Sequence, residues 1–68
     1  MSIKKLTKRE YEILDKMVQG KNNIEISEEL SISKSTVKIH CRSIFEKLEV
    51  NNRVKAVVKA ITYGIIWI

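Results

Sequence analysis

From Lys8 to Gln19 the apolar residues return with the period of an α-helix. Tyr11, Leu14, Met17 and Val18 share one face with Ile13 at its edge, and Lys8, Arg9, Glu12, Asp15, Lys16 and Gln19 take the other. Thr7 followed three residues later by Glu10 forms a capping box, in which each side chain accepts the other residue's free backbone N–H, and Leu6 is placed as a hydrophobic staple. Gly20 supplies the stop. A short second helix, capped by Asn22 or Asn23, is predicted to run to about Leu30, burying Ile26 and Leu30. Ser31-Ile32-Ser33 then makes a tight link without the glycine often found there, with Ile32 plugging the corner. Ser33 caps a third helix from Lys34 to about Leu48, whose core stripe is Val37, Cys41, Ile44 and Leu48, flanked by Phe45. Asn52 caps a fourth helix from Arg53 to about Ile66. A short helix, a tight turn and a longer helix make a helix-turn-helix unit. The expected fold class is all-α, a four-helix bundle with that unit at its centre.

At 68 residues the chain is one small domain. Domains of this size bury only about 60% of their unfolded surface and usually need a staple or a partner. A single cysteine, Cys41, excludes an internal disulfide, and with a single histidine, His40, it cannot make a closed four-ligand zinc site. Helix packing or self-association is left, and no metal or cofactor is expected. The longest apolar run is Ile65 to Ile68, too short to span a membrane, and no signal-peptide pattern opens the chain. A reduced, cytoplasmic setting is the expectation.

The net charge of +5 changes the picture once it is located. Residues 1–31 hold six basic and six acidic side chains, and residues 32–68 hold seven basic and two acidic ones, so the excess lies in the second half. Such asymmetry suits a polyanionic partner, although a merely solvated basic face would have the same composition.

The third helix carries the candidate chemistry. Lys34, Lys38 and Arg42 recur every four residues. Cations in a first turn oppose the positive end of the helix dipole, so Lys34 and Lys38 do not serve helix stability. In a major groove, long cationic donors reach guanine O6 and N7, and a branched apolar side chain such as Ile39 can touch a thymine methyl. Lys38, Ile39 and Arg42 are therefore the candidate base-contacting residues. Ser35 and Thr36, at the same end, can bond phosphate oxygens. His40 lies on the shoulder of the core stripe, where it can bond either a phosphate or a backbone carbonyl. Cys41 reads as inert core. Glu10 is engaged in capping, Glu12 faces water, and there is no glycine-rich phosphate loop, nucleophile elbow or metal motif, so an enzyme is not expected.

The fourth helix has two apolar faces. Val54, Val57, Val58, Ile61 and Ile65 form one; Ala56, Ala60 and Gly64, flanked by Tyr63 and Trp67, form the other; Lys55, Lys59, Thr62 and Ile66 are left for water. Read with the valine face closing the core, the small-residue face becomes a homodimer seam through Ala56, Ala60, Tyr63, Gly64 and Trp67, the aromatics supplying buried area. The alternative is a helix buried on both sides within its own domain. The terminal Ile65-Ile66-Trp67-Ile68 suits packing that a dimer provides.

Leu6-Thr7-x-Arg9-Glu10-x-Glu12-Ile13-Leu14, Gly20-x-x-Asn23-x-Glu25-Ile26, Leu30-x-Ile32-Ser33-x-x-Thr36-Val37-Lys38-x-His40 and Lys47-Leu48-x-Val50-x-x-Arg53-x-x-Ala56-Val57 together resemble the LuxR-type (GerE/NarL-like) helix-turn-helix domain over residues 6 to about 66. The resemblance implies a sequence-specific transcriptional regulator that binds double-stranded DNA as a dimer through its last helix. It puts the groove-facing positions at Lys38, Ile39 and Arg42, and phosphate contacts near Asn23, Thr36, His40 and Arg53. Two positions depart from the family pattern: Ser27 stands for the usual alanine and Ile24 for a commonly polar residue. A methionine five residues ahead of the domain resembles the stand-alone members, and an output domain excised from a longer regulator with an added start has the same appearance; residues 1–5 are expected as a flexible arm before the domain at 6–68. RNA polymerase is carried as a further partner, and a small adaptor docking an acidic protein, or a fragment resembling sigma-factor region 4, as rival readings.

Overall fold

Each helix begins where a side chain can take a free backbone N–H. The computed structural model describes residues 5–67, which form α1 (Lys8–Val18), α2 (Asn23–Leu30), α3 (Lys34–Leu48) and α4 (Arg53–Thr62) with no strand among them. Thr7, Asn22, Ser33 and Asn52 are the N-caps, accepting from the backbone N–H of Glu10, Glu25, Thr36 and Lys55. The choice between Asn22 and Asn23 is settled by a second capping box. Glu25 N–H donates to Asn22 Oδ1 at 2.8 Å while Asn22 N–H donates to Glu25 Oε1 at 2.9 Å. Of the arm expected over residues 1–5, all but Lys5 lies outside the described residues, as does Ile68.

The link between α2 and α3 is tight without glycine because Ser31 itself takes the left-handed conformation, at φ 57°. Ile32 N–H then bonds back to the Ser27 carbonyl at 3.0 Å, and Ile32 packs against the core. A left-handed backbone costs a residue with a Cβ roughly 1–2 kcal/mol, offset in part by the larger chain entropy that glycine loses. Ser31→Gly is therefore expected to stabilise the domain by about 0.5–1 kcal/mol in denaturant titration. An unchanged or lower midpoint would contradict the strain assigned to this turn.

The core comprises Ile13, Leu14 and Met17 of α1, Ile26 of α2, Val37, Cys41, Ile44 and Leu48 of α3, Ala56 and Ala60 of α4, and Ile66. Two expectations about α1 change. Tyr11 is 44% exposed, and Ile13, expected at the edge, is fully buried. The stripe is centred on positions 10, 13, 14 and 17, because Glu10 belongs to it: its carboxylate accepts from Lys47 Nζ at 2.7 Å, Ser43 Oγ at 2.5 Å and Thr7 N–H at 2.9 Å. Burial by itself would raise this carboxyl. The three donors and the Lys47 charge outweigh it and hold Glu10 at about 2, below the ordinary 4.5. Ser27 is buried as well, and it gives its hydroxyl to the Ile24 carbonyl at 2.7 Å, so the departure from alanine leaves no unsatisfied polar group.

α4 presents the faces opposite to those expected. Ala56 and Ala60 are fully buried in the chain's own core, whereas Val54 and Val58 are 72% and 56% exposed and Ile61 is exposed too. Small side chains let α4 come close to both α1 and α3, where the valine face would be too bulky. α4 also ends at Thr62, short of Ile66. Gly64 turns left-handed at φ 68°, and the N–H groups of Ile65 and Ile66 both fold back onto the Ala60 carbonyl at 2.8 and 3.1 Å. That reversal carries Ile66, expected in water, into the core. Gly64 serves a backbone turn that side-chain-bearing residues rarely adopt, and the seam read through Ala56 and Ala60 is corrected because both are buried in the chain's own core. Lys59 is likewise not left to water alone: its ammonium donates to the Leu48 carbonyl at 2.7 Å, at the end of α3, and lies 5.5 Å from the Tyr63 ring centre.

Candidate nucleic-acid interface

α3 is held from behind. Its core stripe faces α1, α2 and α4, and its last turn is tied down through Ser43 and Lys47 to Glu10. The opposite face stands clear along its N-terminal half, with Lys34, Ser35, Lys38, Ile39 and Arg42 all exposed, Ile39 at 68%. Lys38 and Arg42 sit one helical turn apart, about 6 Å along the axis.

Many cations outside this face are engaged within the fold, although among the described residues Lys5, Lys8 and Lys55 are exposed and, like those of α3, unpaired. Lys16 and Lys21 pair with Glu29 at 2.8 and 2.6 Å, Lys47 pairs with Glu10, Arg53 bonds within the fold, and Lys59 caps α3. Among the described residues, by contrast, Lys34, Lys38 and Arg42 make no ion pair and no side-chain hydrogen bond. Their donors point outward from a rigid helix, beside an apolar side chain that gains nothing from water.

The candidate phosphate contacts fall into two groups. Ser35 is exposed at the start of α3, Thr36 shares a hydrogen bond of 2.9 Å with the Ser33 hydroxyl, and His40 is half-buried on the shoulder of the helix. Asn23 and Arg53 form the second group and are joined to each other. Arg53 donates through Nη2 to Asn23 Oδ1 and through Nη1 to the Lys21 carbonyl at 3.5 Å. Cys41 Sγ lies 3.9 Å from the same Asn23 oxygen and 3.8 Å from Arg53 Nη2. Burial pushes the Cys41 thiol above its ordinary value despite the guanidinium beside it, so it stays neutral. Asn23, Lys38, Arg42 and Arg53 border one open depression of about 440 Å³. Sequence reasoning did not join Arg53 to Asn23, since thirty residues separate them and no local pattern links the two.

Adjoining this face at Asn23 and Arg53 is an apolar groove of about 770 Å³ between α4 and the α1–α2 corner, bordered also by Met17, Ile24, Val54, Val57 and Val58. Ile24 is 51% exposed there. Tyr63 and Trp67, also assigned to the seam, are 51% and 85% exposed at the end of α4.

Residues 4–60 match the bacterial regulatory proteins of the luxR family. The chain belongs to that family. The transcriptional regulatory proteins LiaR and DesR of Bacillus subtilis (strain 168) are 53% and 47% identical to it, each over 55 residues that make up 81% of this chain. Those matches span only 26% and 28% of the two relatives, so the chain corresponds to about a quarter of their length. Among solved structures, the transcription factor GerE superposes with a TM-score of 0.79 at 34% identity, covering 94% of this chain and 92% of GerE. The response regulator ChrA of a heme-sensing two-component system superposes with a TM-score of 0.88 at 38% identity, covering 97% of this chain and 33% of ChrA. The LuxR-type helix-turn-helix is a DNA-binding transcriptional regulator domain, not an enzyme, and here α2 and α3 are its two helices. No helix among the described residues is long and apolar enough to cross a membrane.

Proposed function

We propose that the chain is a sequence-specific regulator of transcription that places α3 in the major groove of a pseudo-palindromic site as a homodimer. The observation that carries this reading is the exposed, unpartnered set Lys38, Ile39 and Arg42 on a helix held rigidly from behind. These three read base edges. Asn23, Ser35, Thr36 and His40 hold phosphates around them, with Arg53 directly behind Asn23.

The dimer forms through the outward face of α4, where Val54, Val58 and Ile61 recur at helical spacing beside Ile24. A contiguous apolar surface of this kind on a small domain marks an interface. A second copy fits it because a two-fold axis lays the same stripe on itself. Tyr63 and Trp67, exposed just past the end of α4, add apolar area at that end of the seam. A contact with RNA polymerase is compatible with the surface left free.

Selection of bound duplexes from a random pool tests both parts. The expected product is two inverted half-sites at fixed spacing. Val58→Asp is expected to keep the fold, since Val58 is 56% exposed, and to reduce recovery to single half-sites with a monomeric mass in sedimentation. Recovery of unrelated duplexes would remove the base-reading role, and a Val58→Asp chain that still bound paired half-sites as a dimer would remove the α4 seam.

A further inference from the structure

We propose that Arg53 is a positioning residue for DNA binding: its guanidinium occupies the side-chain oxygen of Asn23 and thereby turns the Asn23 amide –NH2 outward as a phosphate donor. The inference rests on the DNA-binding reading above and assigns Arg53 a role different from a direct phosphate contact.

The orientation follows from donor chemistry. A guanidinium has five N–H donors and no acceptor, so the Asn23 atom facing it must be the oxygen. The Cys41 thiol, kept neutral by burial, is a second donor 3.9 Å from that oxygen. The amide is planar, and fixing Oδ1 on the inner side directs Nδ2 away from Arg53. Among the described residues no hydrogen bond engages Nδ2. Asn23 borders the same depression as Lys38 and Arg42 and also the near end of the apolar groove along α4, so its free donor lies where the surface of the base-reading cations meets that groove.

Arg53 is also the first residue of α4, and its Nη1 reaches the Lys21 carbonyl in the loop before α2. One side chain thus joins the start of α4 to the start of α2 and sets the amide between them. A lysine here would supply the charge but not the fork that reaches Asn23 and Lys21 together.

The test measures binding to a duplex recovered from the random pool, by anisotropy across a salt series. Asn23→Asp keeps an oxygen for Arg53 but presents a second acceptor to the phosphate. It is expected to leave the melting temperature unchanged or higher and to weaken binding about 10- to 100-fold, the worth of a hydrogen bond to a charged group. Asn23→Ala removes the donor without adding charge and is expected to weaken binding about tenfold. Arg53→Ala is expected to cost a similar factor in the wild-type background and less than about twofold in the Asn23→Ala background, because the two residues act as one unit. Its slope of log affinity against log salt stays that of the wild type.

An Arg53 that touches phosphate itself gives the opposite result: the losses multiply, and the slope falls by about 0.9. That outcome overturns the proposal, as does an Asn23→Asp chain binding within twofold of the wild type. Should Arg53→Ala fail to fold, Arg53→Lys takes its place in the same cycle, with the same expected coupling to Asn23. Lys38→Ala and Arg42→Ala separate the two levels of inference. If they weaken binding while the Asn23 and Arg53 variants do not, only the positioning role falls; if none of the four does, the DNA-reading face falls with it.

Discussion

Glu10→Gln should lower the unfolding free energy by about 2–3 kcal/mol at pH 7 while leaving the fold intact. Glutamine keeps the shape of the carboxyl and one acceptor oxygen for Thr7 and Lys47, while its –NH2 requires the Ser43 hydroxyl to turn and accept, so most of the loss is that of the charge. Its size follows from linkage. The Glu10 carboxyl titrates at about 2 in the folded chain against an ordinary value of 4.5, so the folded state holds the proton less readily than the unfolded one. That difference is worth about 3 kcal/mol, fully present above the unfolded value and lost as pH falls from 4.5 through about 2. Stability curves of wild type and Glu10→Gln should therefore lie apart at pH 6 and converge toward pH 2. Parallel curves would show that Glu10 contributes shape alone. For a domain of 68 residues, whose total stability is on the order of 3–10 kcal/mol, a loss of this size is a large share. Its consequence reaches the candidate interface, because Lys47 and Ser43 are the residues through which Glu10 anchors α3, the proposed DNA-facing helix, to α1.

Glu10 also shows where the sequence stopped being legible. The helices, three of the four N-caps and the core stripe of α3 follow from local rules: a capping residue, a period and a stop. Glu10 satisfied one of those rules, the capping box, and its second role depended on Ser43 and Lys47, more than thirty residues away. Leaving a charged residue out of the apolar stripe then rotated the predicted buried arc toward Tyr11. α4 failed for a different reason. Two apolar faces on one helix carry no local mark of which faces inward; the decision was made by how closely α1 and α3 converge, and that favours Ala56 and Ala60 over Val54 and Val58. Gly64 offered a choice between close helix approach and a left-handed turn, and only the backbone at φ 68° decides it. The candidate interface was more legible than the seam, because cations placed against their own helix dipole are anomalous within the sequence itself.

Lys38→Ala and Arg42→Ala should each cost about 1–3 kcal/mol on the preferred site and much less on random duplex, with no loss of stability beyond about 0.5 kcal/mol. The two halves of this expectation have separate causes. Both side chains are exposed and make no ion pair or hydrogen bond with any described residue, so their removal leaves no cavity and no orphaned partner. On the preferred site each would lose a donor pair to a base edge, and what is lost is discrimination. Lys34→Ala is the matched control. Lys34 stands one turn earlier on the same face, at the first position of α3, and as a proposed phosphate contact its removal should weaken binding to all duplexes alike and reduce the salt slope by about 0.9. Ile39→Ala should affect only sites that carry a thymine opposite it, since a methyl contact has no electrostatic component and leaves the slope unchanged. Competition titrations with selected and random duplexes at two salt concentrations separate these classes in one experiment. Equal losses on both duplexes for Arg42→Ala would move Arg42 to the phosphate class and leave Lys38 and Ile39 to carry the readout.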